Sequence, residues 1–555
     1  MNEILERNLL ALSSCDPELS SIIGLTKPNP DIRFINSKTN HLVPAQKIGD
    51  TSIPYHSKFD PFREGEKFLD VFQSSGYLVF LGFGAGFHIF PFLNKPEVTQ
   101  ILIIEKDYSI FRAILEQIDL RSIIIDPRVT FLIDMTVQQI TYYILSHYYP
   151  VIAGNLKTIG LGSRLNIEKE YFHNIIKGIK KIINPIADDY TVQARFGRKW
   201  FINTILNLDK AEKSTISLSP VKKVMVTGAG PSLENQIALI KKLKKTTFLI
   251  ATDTSLPALL HNKIKPDLII SIDCQQIGYH HFLKGLPRDI PLVLDLASPS
   301  ILTRLTNRFL FFSSGHPFSQ FLSNNWRRFP RIDTSGGNVS HAALSLAELL
   351  EAKEIYLFGV DFSYPGGKTY CRGTYLYPYF RSIEKKTNPL ENLFFFFTFR
   401  NANLIKQKAG DTFIYTTKQL LNYKERMETA IKKINAEIFQ GEGIGFKLNM
   451  NQINHKNTNV HFMKKLIAQG PASCGWRDFL KEYTQVLKKL PAPTFPVSKY
   501  LYNLSQRERE LWLTLFPTAT YLREYTNHKG DESSKLLKAT IKWTINIIHK
   551  LLKKI

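Results

Sequence analysis

VKKVMVTGAGPSLENQIALIKKLKKTTFLIATD, residues 221–253, reads as strand, glycine turn, helix and second strand. VMVTG (224–228) is a continuous apolar run, and Gly228 and Gly230 then let backbone approach closely. Pro231 suits the first turn of a helix, and LENQIALIKKLKK supplies that helix. TFLIAT (247–252) is the next run and ends on Asp253. Further runs follow at DLIISID (267–273), PLVLDL (291–296), RFLFFSS (308–314) and EIYLFGVDF (354–362), with helical stretches such as GNVSHAALSLAELLEA between them. None alternates polar with apolar residues, as expected of strands covered by helices on both faces. The pattern predicts an α/β, Rossmann-like domain with a mainly parallel sheet.

A second unit of this kind lies upstream. HSKFDPFREGEKFLDVF (56–72) carries the turn Asp60-Pro61 into an amphipathic helix. YLVFLGFGAG (77–86), ILIIEKD (101–107) and VTFLID (129–134) read as buried strands. Downstream, from about Thr416, the pattern turns helical through TTKQLLNYKERMETAIKKINAEIF (416–439), VHFMKKLIAQG (460–470), WRDFLKEYTQVLKKL (476–490) and SSKLLKATIKWTINIIHKLLKKI (533–555). The last of these is basic and amphipathic, and its apolar stripe is read as packing on the rest of the chain. The expected organisation is an arm (1–60), a Rossmann-like domain (61–195), a central domain (196–440) and a helical C-terminal domain (441–555).

Composition narrows the function class. The 555 residues carry 72 Lys and Arg against 48 Asp and Glu, and 72 − 48 = +24 favours an anionic partner. No nucleic-acid-binding module accompanies that charge. The four cysteines lie far apart with no CxxC pair, so neither a zinc module nor a disulfide framework is expected, and a reducing compartment is. No apolar stretch approaches membrane-spanning length, and the N-terminus does not read as a secretory signal. A cytoplasmic protein without a transmembrane segment is expected, and a homo-oligomer is compatible with the sequence.

Several loops could carry chemistry. Gly82, Gly84 and Gly86 follow a strand, and Glu105 ends the next one, where a carboxylate can accept ribose hydroxyls. The same glycines also serve tight packing, and Phe83, Phe87 and Phe90 crowd the loop. Gly228, Gly230, Pro231 and Ser232 open a helix whose free amides suit a nucleotide phosphate. Asp253, Asp273 and Asp361 end strands, placing carboxylates along the edge where open α/β sheets bind ligands. Thr334, Ser335, Gly336 and Asn338 form a second candidate anion cradle, and His341 beyond them reads as core or cap. Tyr364 and Tyr370 flank Pro365-Gly366-Gly367 and precede Arg372; phenols and a guanidinium can stabilise a departing phosphate without a metal.

Taken together and in this order, these motifs resemble the motility-associated factor (Maf) flagellin glycosyltransferases, which contain domain of unknown function 115. HSKFDP, LGFGAG, GAGPSL, SIDCQ, DTSGGNVSHAALSLA and FGVDFSYPGGKTY carry the resemblance over most of the chain. The central part is also similar to bacterial sialyltransferases that use CMP-sialic acid, through GAGPSL, the Thr334-Ser335-Gly336 turn and KEIYLFGVDF. The resemblance implies transfer of a nonulosonic acid of the pseudaminic or legionaminic type from its CMP donor to Ser or Thr of flagellin. An inverting single displacement is expected, and with no Asp-x-Asp motif in the sequence neither a metal nor a further cofactor is. The resemblance also implies that Gly228, Gly230, Pro231 and Ser232 hold the nucleotide, with Asp253 and Asp273 further along the cleft. Thr334, Ser335 and Gly336 would lie beside cytidine or sugar, and Tyr364 and Tyr370 against the leaving phosphate.

The sequence departs from these patterns in three places. Ala229 replaces an asparagine, GDTFIYTTKQLL (410–421) has no histidine, and Tyr370 stands where the motility family often has histidine. Asp273 or Asp361 then becomes the candidate base, unless the reaction needs little base help. Two alternatives follow: an inactive flagellin-binding protein that keeps the fold, or a relative of the archaeal MptE-like pterin diphosphokinases. In the latter, Asp253 and Asp273 would hold magnesium.

Overall fold

The computed structural model describes residues 3–554, apart from 74, 401–402, 410–411, 451–465, 495 and 527–532. The chain forms two compact units. One comprises Met1–Arg195, Leu490–Trp512 and Phe516–Lys542, the other Phe196–Lys489, Leu513–Leu515 and Trp543–Ile555.

In the first unit the proline-bearing arm forms an antiparallel sheet of β1 (Ile32–Asn36), β2 (Leu42–Ile48) and β3 (Thr51–Pro54). The strands read from sequence become β4 (Gly76–Leu81), β5 (Val98–Glu105) and β6 (Val129–Ile133), joined by β7 (Leu156–Gly160) in the parallel order β6-β5-β4-β7. Alternate residues of one strand enter different cores. Leu78 and Phe80 pack with Ile101 and Ile103 on one face, while Tyr77, Val79 and Leu81 pack with Leu102 and Ile104 on the other. That two-sided burial explains why these strands contain no polar alternation. β7, on the sheet edge, is half-exposed and carries Lys157 and Thr158, so it lacks the apolar signature.

In the second unit β8 (Ser217–Leu218) pairs with β19 (Ile467–Ala468) in a small antiparallel sheet. The main sheet comprises β9 (Lys223–Thr227), β10 (Phe248–Thr252), β11 (Leu268–Ser271), β12 (Leu292–Asp295), β13 (Phe309–Phe312), β14 (Glu354–Phe358) and β18 (Glu437–Gln440). Its order is β13-β12-β11-β10-β9-β14-β18, and every neighbouring pair is parallel. The chain therefore reverses its direction of growth between β9 and β14. Ligands bind doubly wound sheets at such a switch, at the carboxyl ends of the strands. In a third sheet, β15 (Tyr364–Pro365), which follows β14 in sequence, pairs with β17 (Thr412–Thr417), and β17 pairs with β16 (Leu404–Ala409).

Seven helices position the site: α1 (Lys169–Lys213), α2 (Leu233–Leu243), α3 (Leu256–His261), α4 (Val339–Leu349), α5 (Leu376–Ile383), α6 (Leu390–Phe399) and α7 (Lys418–Ile431). The helical reading of 416–439 needs correction, because α7 ends at Ile431 and the chain then forms β18. Of the stretch 460–470, residues 460–465 lie outside the described residues, and Ile467–Ala468 is a strand. The C-terminal region is helical as expected, with Trp476–Lys489, Gln506–Tyr525 and Ser533–Leu552. Leu537 and Ile548 of the last helix are fully buried, in keeping with a packed stripe. Among the described residues, no helix is long and apolar enough to cross a membrane. All four cysteines are free thiols.

Candidate functional site

The turn after β9 is closed against the turn after β14. Gly228 N–H donates to Phe358 O at 2.7 Å, and Gly230 N–H to Gly359 O at 2.8 Å. A Cβ at Gly228 would stand 2.5 Å from Gly359 O, and one at Gly230 would stand 2.4 Å from Asp361 Oδ2, so this approach demands glycine. Asp361 Oδ2 accepts from the Ser232 amide at 2.8 Å. The chain's own carboxylate therefore meets an amide at the start of α2, where the sequence suggested a nucleotide phosphate. Ser232 Oγ accepts from Ile444 N at 2.9 Å, and Phe446 N donates to Asp361 O. The glycine-rich segment Gly441–Phe446 thus covers Ser232 and Asp361; a Cβ at Gly443 would fall 2.4 Å from Ser232 Oγ. Burial pushes the Asp361 carboxyl above its ordinary range, although Ser232 opposes this.

The turn before α4 adjoins the same place, since the Cβ position of Gly228 lies 3.2 Å from Ser340 Oγ. Asn338 caps α4 by accepting from His341 N at 3.0 Å, and Asp333 accepts from Ser335 N at 2.8 Å. Gly336 is required because the His341 ring occupies the Cβ position, and His341 is buried against Asp333. It is a structural histidine. Thr334 is half-buried and Ser335 exposed, the latter offering its carbonyl to Arg426 at 3.1 Å.

Along the carboxyl edge, Asp253 is buried and accepts from Thr254 N at 2.7 Å and from Ser271 Oγ at 2.6 Å. Asp273 is less enclosed and accepts from Gln275 N at 2.9 Å. Its carboxyl is pushed up by burial and by the neighbouring Asp253 carboxylate, with His281 pulling the other way. Asp295, which no motif singled out, ends β12, is fully enclosed and is pushed up by burial. The loops beyond β11 and β12 are fixed from α1, where Asn203 Nδ2 donates to Cys274 O and Ala297 O, both at 2.9 Å.

The tyrosines converge on this edge. Tyr364 sits in β15, opposite Tyr415 of β17. Tyr370 is half-buried. Burial pushes its phenol up, Tyr375, Tyr364 and Asp253 add to the effect, and Arg400 opposes it. Burial pushes up the phenol of Tyr375, just before α5, while Arg400 opposes this and Asp273 adds to it. Its ring meets the His281 ring edge-on at 4.8 Å. Asp253, Asp273, His281, Tyr364, Tyr370, Tyr375 and Arg400 thus form one neighbourhood, three of whose members (His281, Tyr375 and Arg400) no sequence motif marked.

Arg372 is placed elsewhere. Its amide donates to Glu234 Oε1 at 2.8 Å, Lys368 pairs with the same carboxylate at 3.2 Å, and the exposed Arg372 side chain lines a cavity of about 200 Å³ against α2 and α3.

The glycine loop of the first unit is filled by its own chain. Glu105 is fully buried and paired with Arg164 at 2.6 Å, and its other oxygen accepts from Phe83 N at 2.9 Å. His56 Nε2 accepts from Ala85 N at 3.0 Å. A Cβ at Gly82 would strike the Arg164 side chain, and one at Gly84 the His56 ring. Gly86 packs against Ile123. The carboxylate that could have met a ribose instead neutralises an arginine, and the space at the possible second nucleotide-like loop is taken by Arg164 and His56.

Residues 201–367 match the family described as 6-hydroxymethylpterin diphosphokinase MptE-like. An uncharacterized protein of Treponema pallidum (strain Nichols) is 33% identical over 170 residues, 29% of this chain and 79% of that protein. A second from the same organism is 32% identical over 152 residues, 27% of this chain and 54% of its own, so this chain spans about half of that relative. The structure of a Maf glycosyltransferase from Magnetospirillum magneticum AMB-1 aligns with a TM-score of 0.58 at 13% identity, covering 99% of this chain and 96% of the other. That likeness establishes a common fold. The family match contains Gly228, Asp253, Asp273, Thr334 and Tyr364; Tyr370, Tyr375 and Arg400 lie beyond it.

Proposed function

The chain belongs to the MptE-like family and carries that domain on the fold of a Maf glycosyltransferase, and from this premise we propose that it is itself a glycosyltransferase. The donor in this reading is a CMP-activated nonulosonic acid, the acceptor is Ser or Thr of flagellin, and the setting is the cytoplasm. The observation that carries the reading is the group of phenols Tyr364, Tyr370 and Tyr375 beside Asp253 and Asp273 at the carboxyl edge. Phenols held protonated by burial are hydrogen-bond donors, which is what a phosphate gaining charge requires.

Transfer proceeds by a single displacement with inversion and without a metal. The donor's bond to phosphate breaks ahead of attack, and the protein contributes positioning and charge stabilisation. Thr334, Ser335 and Gly336 line the nucleotide or sugar side. Asp273 takes the acceptor proton, because it is the less enclosed of the neighbouring carboxylates and its raised pKa makes it the better base. Asp361, engaged with Ser232, serves the fold. The test incubates the purified protein with CMP-pseudaminic or CMP-legionaminic acid and flagellin and reads intact mass. An added sugar, lost in Asp273→Asn and reduced in Thr334→Ala, supports the reading. Equal transfer by both variants sinks the site, and no transfer sinks the activity.

The family description favours a second reading, diphosphate transfer to a pterin with magnesium at Asp253 and Asp273. Magnesium-dependent ATP consumption with hydroxymethyl-dihydropterin would select it. Capture of unmodified flagellin without any turnover would select a binding role.

A further inference from the structure

We propose that Arg400, to which no motif pointed, is the cation that receives the phosphate of the bound nucleotide, a role that rests on the transferase reading above. Its position follows from the preceding turn of α6. Thr398 Oγ1 donates to Gly367 O at 2.8 Å, tying the helix end to the glycine turn between Tyr364 and Tyr370. The Phe399 ring packs at 5.0 Å on Tyr415, the residue facing Tyr364 in the β15–β17 ladder. The Arg400 guanidinium stacks on Phe397 at 4.0 Å, so one face of the fork is held by an aromatic ring. Electrostatically it is the arginine felt by Tyr364, Tyr370 and Tyr375 alike.

Three other cations near these turns have different surroundings. Lys368 pairs with Glu234 beside α2, and the Arg372 side chain lines the cavity against α2 and α3. Arg426 donates to the Ser335 carbonyl.

In the transfer step, the acceptor oxygen forms a bond to the anomeric carbon. The bond from that carbon to the phosphate oxygen of CMP breaks, its electron pair stays on that oxygen, and the hydroxyl proton passes to Asp273. The phosphate gains one negative charge as it leaves. Three phenols donate hydrogen bonds to it but carry no charge, so a guanidinium beside them completes the set. Its planar fork also engages two phosphate oxygens at once, which a lysine does not.

The experiment separates phosphate recognition from catalysis. Calorimetry with CMP and with cytidine is run on the full chain and on Arg400→Ala, Arg400→Lys and Arg372→Ala, with thermal unfolding as the control for folding. Arg400→Ala is expected to weaken CMP about 10-fold while leaving cytidine within 2-fold, with Arg400→Lys intermediate. Where wild type transfers sugar, Arg400→Ala lowers kcat about 100-fold with a smaller change in KM, and added guanidinium restores part of it. Equal affinity for CMP in wild type and Arg400→Ala overturns the inference, as does a selective CMP defect in Arg372→Ala alone. Absence of CMP binding in wild type overturns it as well. Phosphate-selective binding through Arg400 without sugar transfer removes only the transferase reading.

Discussion

Asp361 distinguishes a ligand-binding carboxylate from a structural one. Its Oδ2 satisfies the Ser232 amide at 2.8 Å, and its carboxyl group fills the space left by Gly230 and Gly445, whose Cβ atoms would fall 2.4 Å from Oδ2 and 2.6 Å from Oδ1. Asp361→Ala leaves a buried N–H without an acceptor, at about 1–3 kcal/mol, and a void of carboxyl size at roughly 1 kcal/mol more. The expected loss is roughly 2–4 kcal/mol, or about 5–12 °C in Tm for a large domain.

Asp361→Asn behaves differently. The amide oxygen still accepts from Ser232, and no charge is buried. Because burial holds the folded-state carboxyl above its ordinary value, the folded protein binds more protons than the unfolded chain between those two values. Stability therefore falls as pH rises through that window and stays reduced above it. Near pH 7.5 the asparagine variant is expected within about 1 kcal/mol of wild type or above it. That advantage shrinks as pH falls toward the ordinary carboxyl range. Scanning fluorimetry of the three proteins, paired with CMP binding, is the assay. A Tm for Asp361→Asn as low as for Asp361→Ala refutes this reasoning, as do two stable variants that no longer bind CMP, which would return Asp361 to the nucleotide.

Gly228→Ala drives a methyl to 2.5 Å from a backbone carbonyl that cannot rotate away, so the hydrogen bonds joining the β9 and β14 turns must lengthen. A loss of about 2–4 kcal/mol by urea unfolding is expected, and less than 1 would refute the close approach. In the first unit, Arg164→Ala strands the buried Glu105 carboxylate and should cost about 3–5 kcal/mol, whereas Glu105→Gln with Arg164→Met should recover most of it; equal losses in both would argue against the pair. His88 is fully buried, and its pKa is driven well below the usual histidine value, first by burial and then by His56. The unfolded chain therefore takes up that proton first, and stability is lost as pH falls below the ordinary histidine range. His88→Leu should flatten the difference in urea midpoint between pH 7.5 and 5.5, and an unchanged slope would exonerate His88.

The central sheet is legible because burial on both faces removes polar residues from whole strands, as in TFLIAT and DLIISID. β7 and β18 escape because they are edge strands: LKTIG and EIFQ are partly exposed and keep polar residues that match no strand signature. In the site, proximity along the chain misleads. Arg372 stands two positions after Tyr370, yet Cys371 N donates to Ala229 O at 3.0 Å and the next amide binds Glu234, which carries the arginine away from the edge. Arg400 returns through α5 and α6, and no local pattern announces a contact made by such an excursion. His281 is hidden for the same reason, since it lies in a short 3₁₀ turn (Gln276–Phe282) and acquires significance only when Tyr375 packs against it.

The two glycine loops state the general case. Both follow a buried parallel strand, and both need glycine because something approaches to within contact distance of the backbone. What approaches is set by distant residues. Arg164 and His56 close the first loop, and the Gly359 turn with Asp361 closes the second. An amide that donates to the chain's own carboxylate is satisfied before any ligand arrives, so a ligand must displace that carboxylate or bind beside it. At the second loop, the carboxyl edge beyond Asp361 holds the half-exposed Asp273, Thr334 and Tyr364, together with Arg400. The chemistry is therefore expected along the β10–β11 side of the switch, with the glycine turn as its wall. A donor-bound structure with phosphate on the Ser232 amide, and Asp361 swung out, would contradict that placement.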